Sequence, residues 1–362
     1  MKKMVVLCLL LAMVVSASAQ KTKTENVILV TLDGMRWQEI FSGAQPAFLR
    51  DKTLLEDTNQ FVLRYDGSSD TERRKKLLPF IWSTLATQGQ LLGNRKAGCK
   101  VNTMNKMWFS YPGYNEMLCG FADDMKINSN DPIDNPNLNV LEYMQTQPAF
   151  KGKVAAFTSW ETFPWIINSK RNGIPVNAGW METATRPTPK EQLLNALSTQ
   201  LPRVSGDTRL DAITFHYAIE YLKRAAPRVL YISFDETDHF AHGGKYDDYL
   251  TSAHYTDVFL QELWQYVQST PQYMNKTTLI ITTDHGRGTS AEGWKHHGSK
   301  VDEADQIWMA FLGPDTPPLG ELKEPGQFYQ AQIAATMAAL LGLDYTKYEP
   351  KAAPAIRQVI GK

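Results

Sequence analysis

Four apolar, β-branched stretches punctuate the chain: Asn26–Leu32 (NVILVTL), Val154–Thr158, Arg228–Phe234 (RVLYISF) and Thr278–Thr283 (TLIITT). Short continuous apolar runs of this kind predict strands buried on both faces. Gln306–Leu312 is a fifth candidate. Between them, Thr208–Ala225, Asp247–Ser269 and Tyr329–Leu341 carry apolar residues at helical spacing. Strands that alternate with helices, without hairpin signals, predict an α/β fold with a largely parallel central sheet flanked by helices. No repeat, low-complexity tract or Gly/Ser linker divides the chain. One large domain is therefore expected over residues 20–362, with 170–205 as a possible cap or insertion. The polar stretch from Asn128 to Asn139 reads as an ordered surface loop.

The amino terminus stands apart from this pattern. Lys2 and Lys3 precede an apolar run from Met4 to Val15, and Ala17-Ser18-Ala19 offers a small-x-small cleavage site. This is the pattern of a removable export signal over residues 1–19, so a periplasmic or secreted protein is expected. The run is shorter than the roughly 20 residues that span a bilayer, and no membrane anchor is expected downstream. Loss of Lys2 and Lys3 from 38 basic residues, against 38 acidic ones, leaves a formal charge of −2. Nucleic-acid-binding domains are usually basic, so that class is disfavoured. The one dense basic run, Arg73-Arg74-Lys75-Lys76, follows a capped helix start at Ser69 and reads as a solvated helix face. Cys99 and Cys119 remain after cleavage, and in an oxidising compartment they are expected to pair.

Three of the strands end in aspartate: VTLD at Asp33, ISFDETD through to Asp238, and ITTD at Asp284. In open parallel sheets the ligand lies beyond the carboxyl ends of the strands, so the three carboxylates should converge on one crevice. A single aspartate after a strand is usually a turn former. Here histidines accompany them. Asp238 and His242 are four apart and share a face if the segment is helical, Asp284 precedes His285, and Trp294-Lys295-His296-His297-Gly298 follows shortly. Five of the seven histidines lie in these three segments, whereas His216 and His254 sit alone in helical patterns. Such Asp/His clusters point to transition metals, zinc first, rather than calcium. Asp33, Asp238, His242, Asp284, His285 and His297 make six ligands, too many for one tetrahedral ion and suited to two divalent ions. Ser110 precedes Pro112, which is tolerated in a first helical turn, so it falls at a predicted helix start. There it is either a nucleophile facing an anion site or a simple cap.

Taken together these residues resemble the alkaline phosphatase superfamily, and within it the nucleotide pyrophosphatase/phosphodiesterase-like branch. VILVTLDGMRW is similar to that branch's entry segment through Asp33, Gly34 and Arg36. FSYPGYNEMLCG is similar to its nucleophile segment, with Ser110 at the nucleophile followed by Tyr111 and Pro112. DETDHFAHGG, TTDHG and KHHG match its later metal elements, and AQIAATMAALLGL its late helix. The resemblance implies a metal-dependent phosphate ester hydrolase acting through a phosphoseryl intermediate on a small substrate. It places Asp33, Ser110, Asp284 and His285 around one metal, and Asp238, His242 and His297 around the other. His296 is the rival to His297, which is preferred because Gly298 follows it directly. Asn128 and Asn130 both qualify for the asparagine that holds a phosphoryl oxygen. One departure is Gly113, where the branch commonly has asparagine, with no histidine after it.

A sulfatase is the nearest alternative, but its activation motif wants arginine at position 114, where this chain has Tyr114. A phosphoglycerate-mutase-like enzyme needs a large inserted domain, and the span from Ser110 to Asp238 leaves little room for one. A non-catalytic surface-binding protein would suit nine tryptophans and fifteen tyrosines, but not an intact ligand set.

Overall fold

The computed structural model describes residues 22–183, 186–201, 203 and 205–361, so the expected export signal lies outside the described residues. Among the described residues eleven strands form: β1 (Asn26–Leu32), β2 (Gln90–Leu92), β3 (Cys99–Asn102), β4 (Val154–Thr158), β5 (Val176–Ala178) and β6 (Val229–Phe234). They continue with β7 (Thr277–Thr282), β8 (Gln306–Ile307), β9 (Met309–Leu312), β10 (Gly320–Glu321) and β11 (Gly326–Tyr329). Eight make one sheet in the order β10-β2-β9-β7-β1-β6-β4-β5, parallel from β7 to β5, with β9 antiparallel to both its neighbours. The other three form a small sheet, β11-β3-β8.

The fold is thus α/β with a large, mostly parallel sheet between helices, and the apolar runs explain it. Every residue of β1, β6 and β7 is buried, because helices cover both faces. Along β1 successive side chains alternate between two cores. Ile28, Val30 and Leu32 join residues of the helices Asp211–Ala225 and Tyr246–Ser269. Val27 and Leu29 join those of Ser110–Cys119 and Gln332–Leu340.

Several expectations shift on folding. Gln306–Leu312 is not one strand: it splits at Trp308, whose indole donates to the Met35 carbonyl (3.0 Å), and β8 and β9 join different sheets. The helix expected from Tyr329 begins at Gln332, because the preceding residues form β11. Within the segment 170–205, β5 is an edge strand of the main sheet and Pro189–Gln200 packs beside Asp211–Ala225. Of the basic run only Lys75 and Lys76 are solvated. Arg74 instead lies over the Trp82 ring at 3.5 Å and pairs with Glu321 at 3.2 Å, its long stem and flat head being suited to such a half-buried site.

Two expectations are corrected. Cys99 and Cys119 are free and buried, each in its own hydrogen-bonded setting: the Gly93 amide reaches Cys99 Sγ, and Asn135 Nδ2 lies 3.9 Å from Cys119 Sγ. The loop at 128–139 is only partly a surface feature. Asn135 and Asn139 are fully buried, and Asn135 and Asn137 both donate to Asn115 Oδ1. Asn139 caps the helix Val140–Thr146. Short amides satisfy the backbone and polar groups that a buried loop would otherwise strand. Among the described residues no helix is long and apolar enough to cross a membrane.

Candidate active site at the strand ends

Adjacent parallel strands deliver their carboxyl ends to one place, and β7, β1 and β6 are adjacent. Asp33 follows β1 and continues its ladder through its amide to the Phe234 carbonyl (3.0 Å). Gly34 then turns the chain at φ +57°, and a Cβ here would lie 2.8 Å from Arg287 Nε and 3.0 Å from Asp238 Oδ1. Only glycine lets the backbone pass this close to the site. After β6 comes the short helix Glu236–His242, which sets Asp238 and His242 on one face, with Nε2 3.4 Å from Oδ2. After β7 come Asp284 and His285, both fully buried.

His285 Nε2 is the centre of the group. It lies 3.3 Å from Asp33 Oδ1, 3.4 Å from Asp284 Oδ2 and 3.8 Å from Asp238 Oδ1. Two overlapping triads result, Asp33/Asp284/His285 and Asp238/His285/His297. His297 Nε2 is 3.5 Å from Asp238 Oδ1 and 2.9 Å from His242 Nε2, so His242 joins the second triad. His296 points elsewhere, half exposed and paired with Glu292 at 3.2 Å. Six of the sequence-chosen residues thus meet within two small groups, with His285 between them rather than wholly in the first.

The donor set fits divalent cations. Asp33 Oδ1, Asp284 Oδ2 and His285 Nε2 are buried without a hydrogen-bond partner, an arrangement that is costly unless something else meets them. Ligand atoms about 2.0–2.1 Å from one tetrahedral zinc stand about 3.3–3.4 Å apart, matching the separations around His285 Nε2. Electrostatics agree. Burial, then the neighbouring Asp238 charge, pushes the Asp33 carboxyl well above its usual range, and burial followed by Asp33 does the same to Asp284. Carboxyls so crowded ionise together only beside compensating positive charge. Burial and the adjacent His285 hold His297 well below the ordinary imidazole range, which favours the neutral form of the ring.

Ser110 opens the helix Ser110–Cys119, and no side chain caps that helix from the preceding position. Asn130 does the work of a cap from a distance, its Oδ1 accepting from the Tyr111 amide (2.9 Å). The Ser110 hydroxyl is thereby left facing a cavity of about 420 Å³ that Asn130, Asp238 and His242 also line. Asn128 lines a separate, smaller hollow near Tyr111 and Lys126. Gly113 accounts for the missing asparagine: a Cβ there would lie 2.4 Å from the Asp284 carbonyl oxygen.

Sequence reasoning missed three supports. Arg287, fully buried, holds the Asp238 carboxylate through Nη2 and reaches the Lys295 carbonyl through Nη1 (2.8 Å). Burial opposes ionisation of Asp238, but Arg287 and the imidazoles of His297 and His242 outweigh it and hold the carboxyl below its usual range. Tyr114 donates to Asp33 Oδ2 (2.8 Å) and ends a buried hydroxyl chain that runs through Ser233, Thr31 and Tyr231. Asp211 accepts the amides of Asp235 and Glu236, anchoring the helix that bears Asp238. An arginine two residues after His285 and an aspartate in the first turn of the helix expected over Thr208–Ala225 were visible signals, but their partners lie up to about 50 residues away.

A family described as type I phosphodiesterase / nucleotide pyrophosphatase matches residues 69–335. No match was found among curated proteins. Among solved structures, alkaline phosphatase PafA is similar at 10% identity and TM-score 0.59, over 94% of this chain and 99% of its own. The phosphonate monoester hydrolase SpPMH from Silicibacter pomeroyi is similar at 11% and 0.59, over 93% and 77%. The lipoteichoic acid synthase LtaP from Listeria monocytogenes is similar at 11% and 0.56, over 88% and 72%. These likenesses establish an alkaline-phosphatase-like fold.

Proposed function

The chain belongs to the type I phosphodiesterase / nucleotide pyrophosphatase family, and on that premise we propose that it hydrolyses phosphate esters through a phosphoseryl intermediate on Ser110. Family and fold together make it a hydrolase of phosphate or sulfate esters; the choice of phosphate and of mechanism is ours. It rests on one observation: Ser110, whose helix start is capped by Asn130 instead of by its own side chain, lines a cavity with Asp238 and His242, and behind these stand the buried Asp33, Asp284 and His285 atoms that have no hydrogen-bond partner.

Asp33, Asp284 and His285 would hold one divalent ion, with Ser110 beside it, and Asp238, His242 and His297 the other. Bound ions, zinc by preference, would lower the pKa of the serine hydroxyl and stabilise charge on the phosphoryl and leaving oxygens. The chain's own groups do the rest. Ser110 Oγ attacks phosphorus and loses its proton to solvent, an Oγ–P bond forms, and the alcohol leaves with the electron pair of the broken P–O bond and takes up a proton from solvent. The helix start behind Ser110 favours the anionic phosphoryl group. Asn130, with Oδ1 committed to Tyr111, has its amide nitrogen available for a phosphoryl oxygen. Water then attacks phosphorus, a new O–P bond forms as the Oγ–P bond breaks, phosphate is released, and Oγ regains a proton through solvent, restoring Ser110. Arg287 and Tyr114 keep Asp238 and Asp33 oriented throughout.

Tyr114 weighs against the sulfatase alternative, since it occupies the position where that motif wants arginine and is engaged with Asp33. The export-type segment at residues 1–19 supports placement outside the cytoplasm. Assays of the metal-loaded enzyme on bis(4-nitrophenyl) phosphate and 4-nitrophenyl sulfate test the reading. Phosphodiester turnover far above sulfate turnover is expected, and the reverse order would overturn it.

A further inference from the structure

The cavity beside Ser110 carries a second chemical signature. Beyond Asp238, which Arg287 neutralises, its wall presents Asp131, Glu161 and Asp207. Among the described residues no lysine or arginine lines it. Acidic side chains alone would mean little on a solvated surface. Here they surround a built floor: the Ser110 and Thr162 residues, more than nine-tenths buried, line the space, and their hydroxyls make no hydrogen bond among the described residues. Two indoles complete the wall. Trp160 is fixed in place by its Nε1 donating to Asp207 Oδ2 (3.0 Å), and Trp165 is partly exposed.

We propose that this cavity selects phosphate esters whose alcohol group carries a positive charge, an amino alcohol or quaternary ammonium alcohol bound among the carboxylates and against the tryptophans. The inference rests on the phosphate ester reading above and adds the substrate class. The phosphoryl group must lie at Ser110, so the alcohol is the part that extends along the acidic wall. A cation there gains attraction to the carboxylates and to an indole face, whose quadrupole favours ammonium groups. A polyanionic alcohol such as a nucleotide would set its further phosphates against the same carboxylates without a basic side chain to meet them.

The test uses three substrates on the metal-loaded enzyme: 4-nitrophenyl phosphorylcholine, its uncharged 3,3-dimethylbutyl isostere, and bis(4-nitrophenyl) phosphate. The first two differ only in charge. A kcat/KM ratio on the order of 10 in favour of the cation is expected from the usual strength of ammonium–aromatic contacts. That ratio should fall towards one in Glu161→Gln combined with Trp165→Ala, and should also shrink as salt is raised. A ratio near or below one in the wild-type enzyme, with bis(4-nitrophenyl) phosphate still cleaved, overturns the cation preference and leaves the phosphodiesterase reading intact. Failure to cleave any of the three overturns both.

Discussion

Gly113 offers a sharp test because it couples the serine helix to the metal-ligand segment. In Gly113→Ala the new Cβ would lie 2.4 Å from the Asp284 carbonyl oxygen, about 1 Å inside ordinary contact. That oxygen also accepts from Gln330 Nε2 (2.7 Å), so it cannot swing aside freely. Two effects on stability oppose each other. Alanine in a helix interior is favoured over glycine by about 1 kcal/mol, whereas overpacking costs about 1–3 kcal/mol. The net loss is therefore about 0–2 kcal/mol, a few degrees in thermal midpoint for a chain of this size. Activity should respond more strongly. The helix start carrying Ser110 and the segment carrying Asp284 and His285 must separate by most of that 1 Å, and misplacement of this size costs about 100-fold in rate. Thermal unfolding and kcat/KM for bis(4-nitrophenyl) phosphate should be measured together. A Gly113→Ala enzyme with raised midpoint and undiminished kcat/KM would refute the claim that this contact sets the site geometry.

Other outcomes follow from the same structure. Ser110→Ala should keep both metals by elemental analysis while turnover falls by several orders of magnitude, as nucleophile loss costs about 10⁶ in other covalent enzymes; near-full activity would refute the covalent route. Purified enzyme should contain about two divalent ions per chain, and chelators should remove activity and lower thermal stability together. Asp257 accepts the Phe80 and Ile81 amides (2.7 and 2.9 Å), and burial pushes its carboxyl up to about 7. The folded protein then binds this proton more tightly than the unfolded one, so the contribution is complete below about pH 4 and is lost as pH rises through about 7. The loss is at most about 4 kcal/mol, and Asp257→Asn should flatten the fall of the urea midpoint between pH 4 and 7 relative to wild type. Cys99 and Cys119 should both react with alkylating agent once the protein is unfolded without reductant, in keeping with two free thiols.

Much of this was legible in the chain itself. The strands whose two faces are both buried, β1, β4, β6 and β7, stood out as mainly apolar, β-branched runs, because a strand covered by helices on each side has no solvent-facing positions to alternate with. Aspartates placed just after such strands had to lie at one edge of the sheet, so the clustering of Asp33, Asp238 and Asp284 followed from local pattern plus parallel topology. Strands at the margins were not legible: β8 and β9 look continuous in sequence and separate only because two different sheets claim them. Only the tertiary structure shows His297 beside Asp238 while His296 pairs with Glu292, Asn130 rather than Asn128 at the cavity beside Ser110, and Cys99 and Cys119 as free thiols. It alone revealed Arg287 on Asp238 and Tyr114 on Asp33. Periodicity along a chain reports which face of an element is buried, whereas the partner of a given side chain is set by how distant segments pack. Neighbours such as Asp238 and Arg287, about 50 residues apart, therefore leave no joint trace in a single sequence.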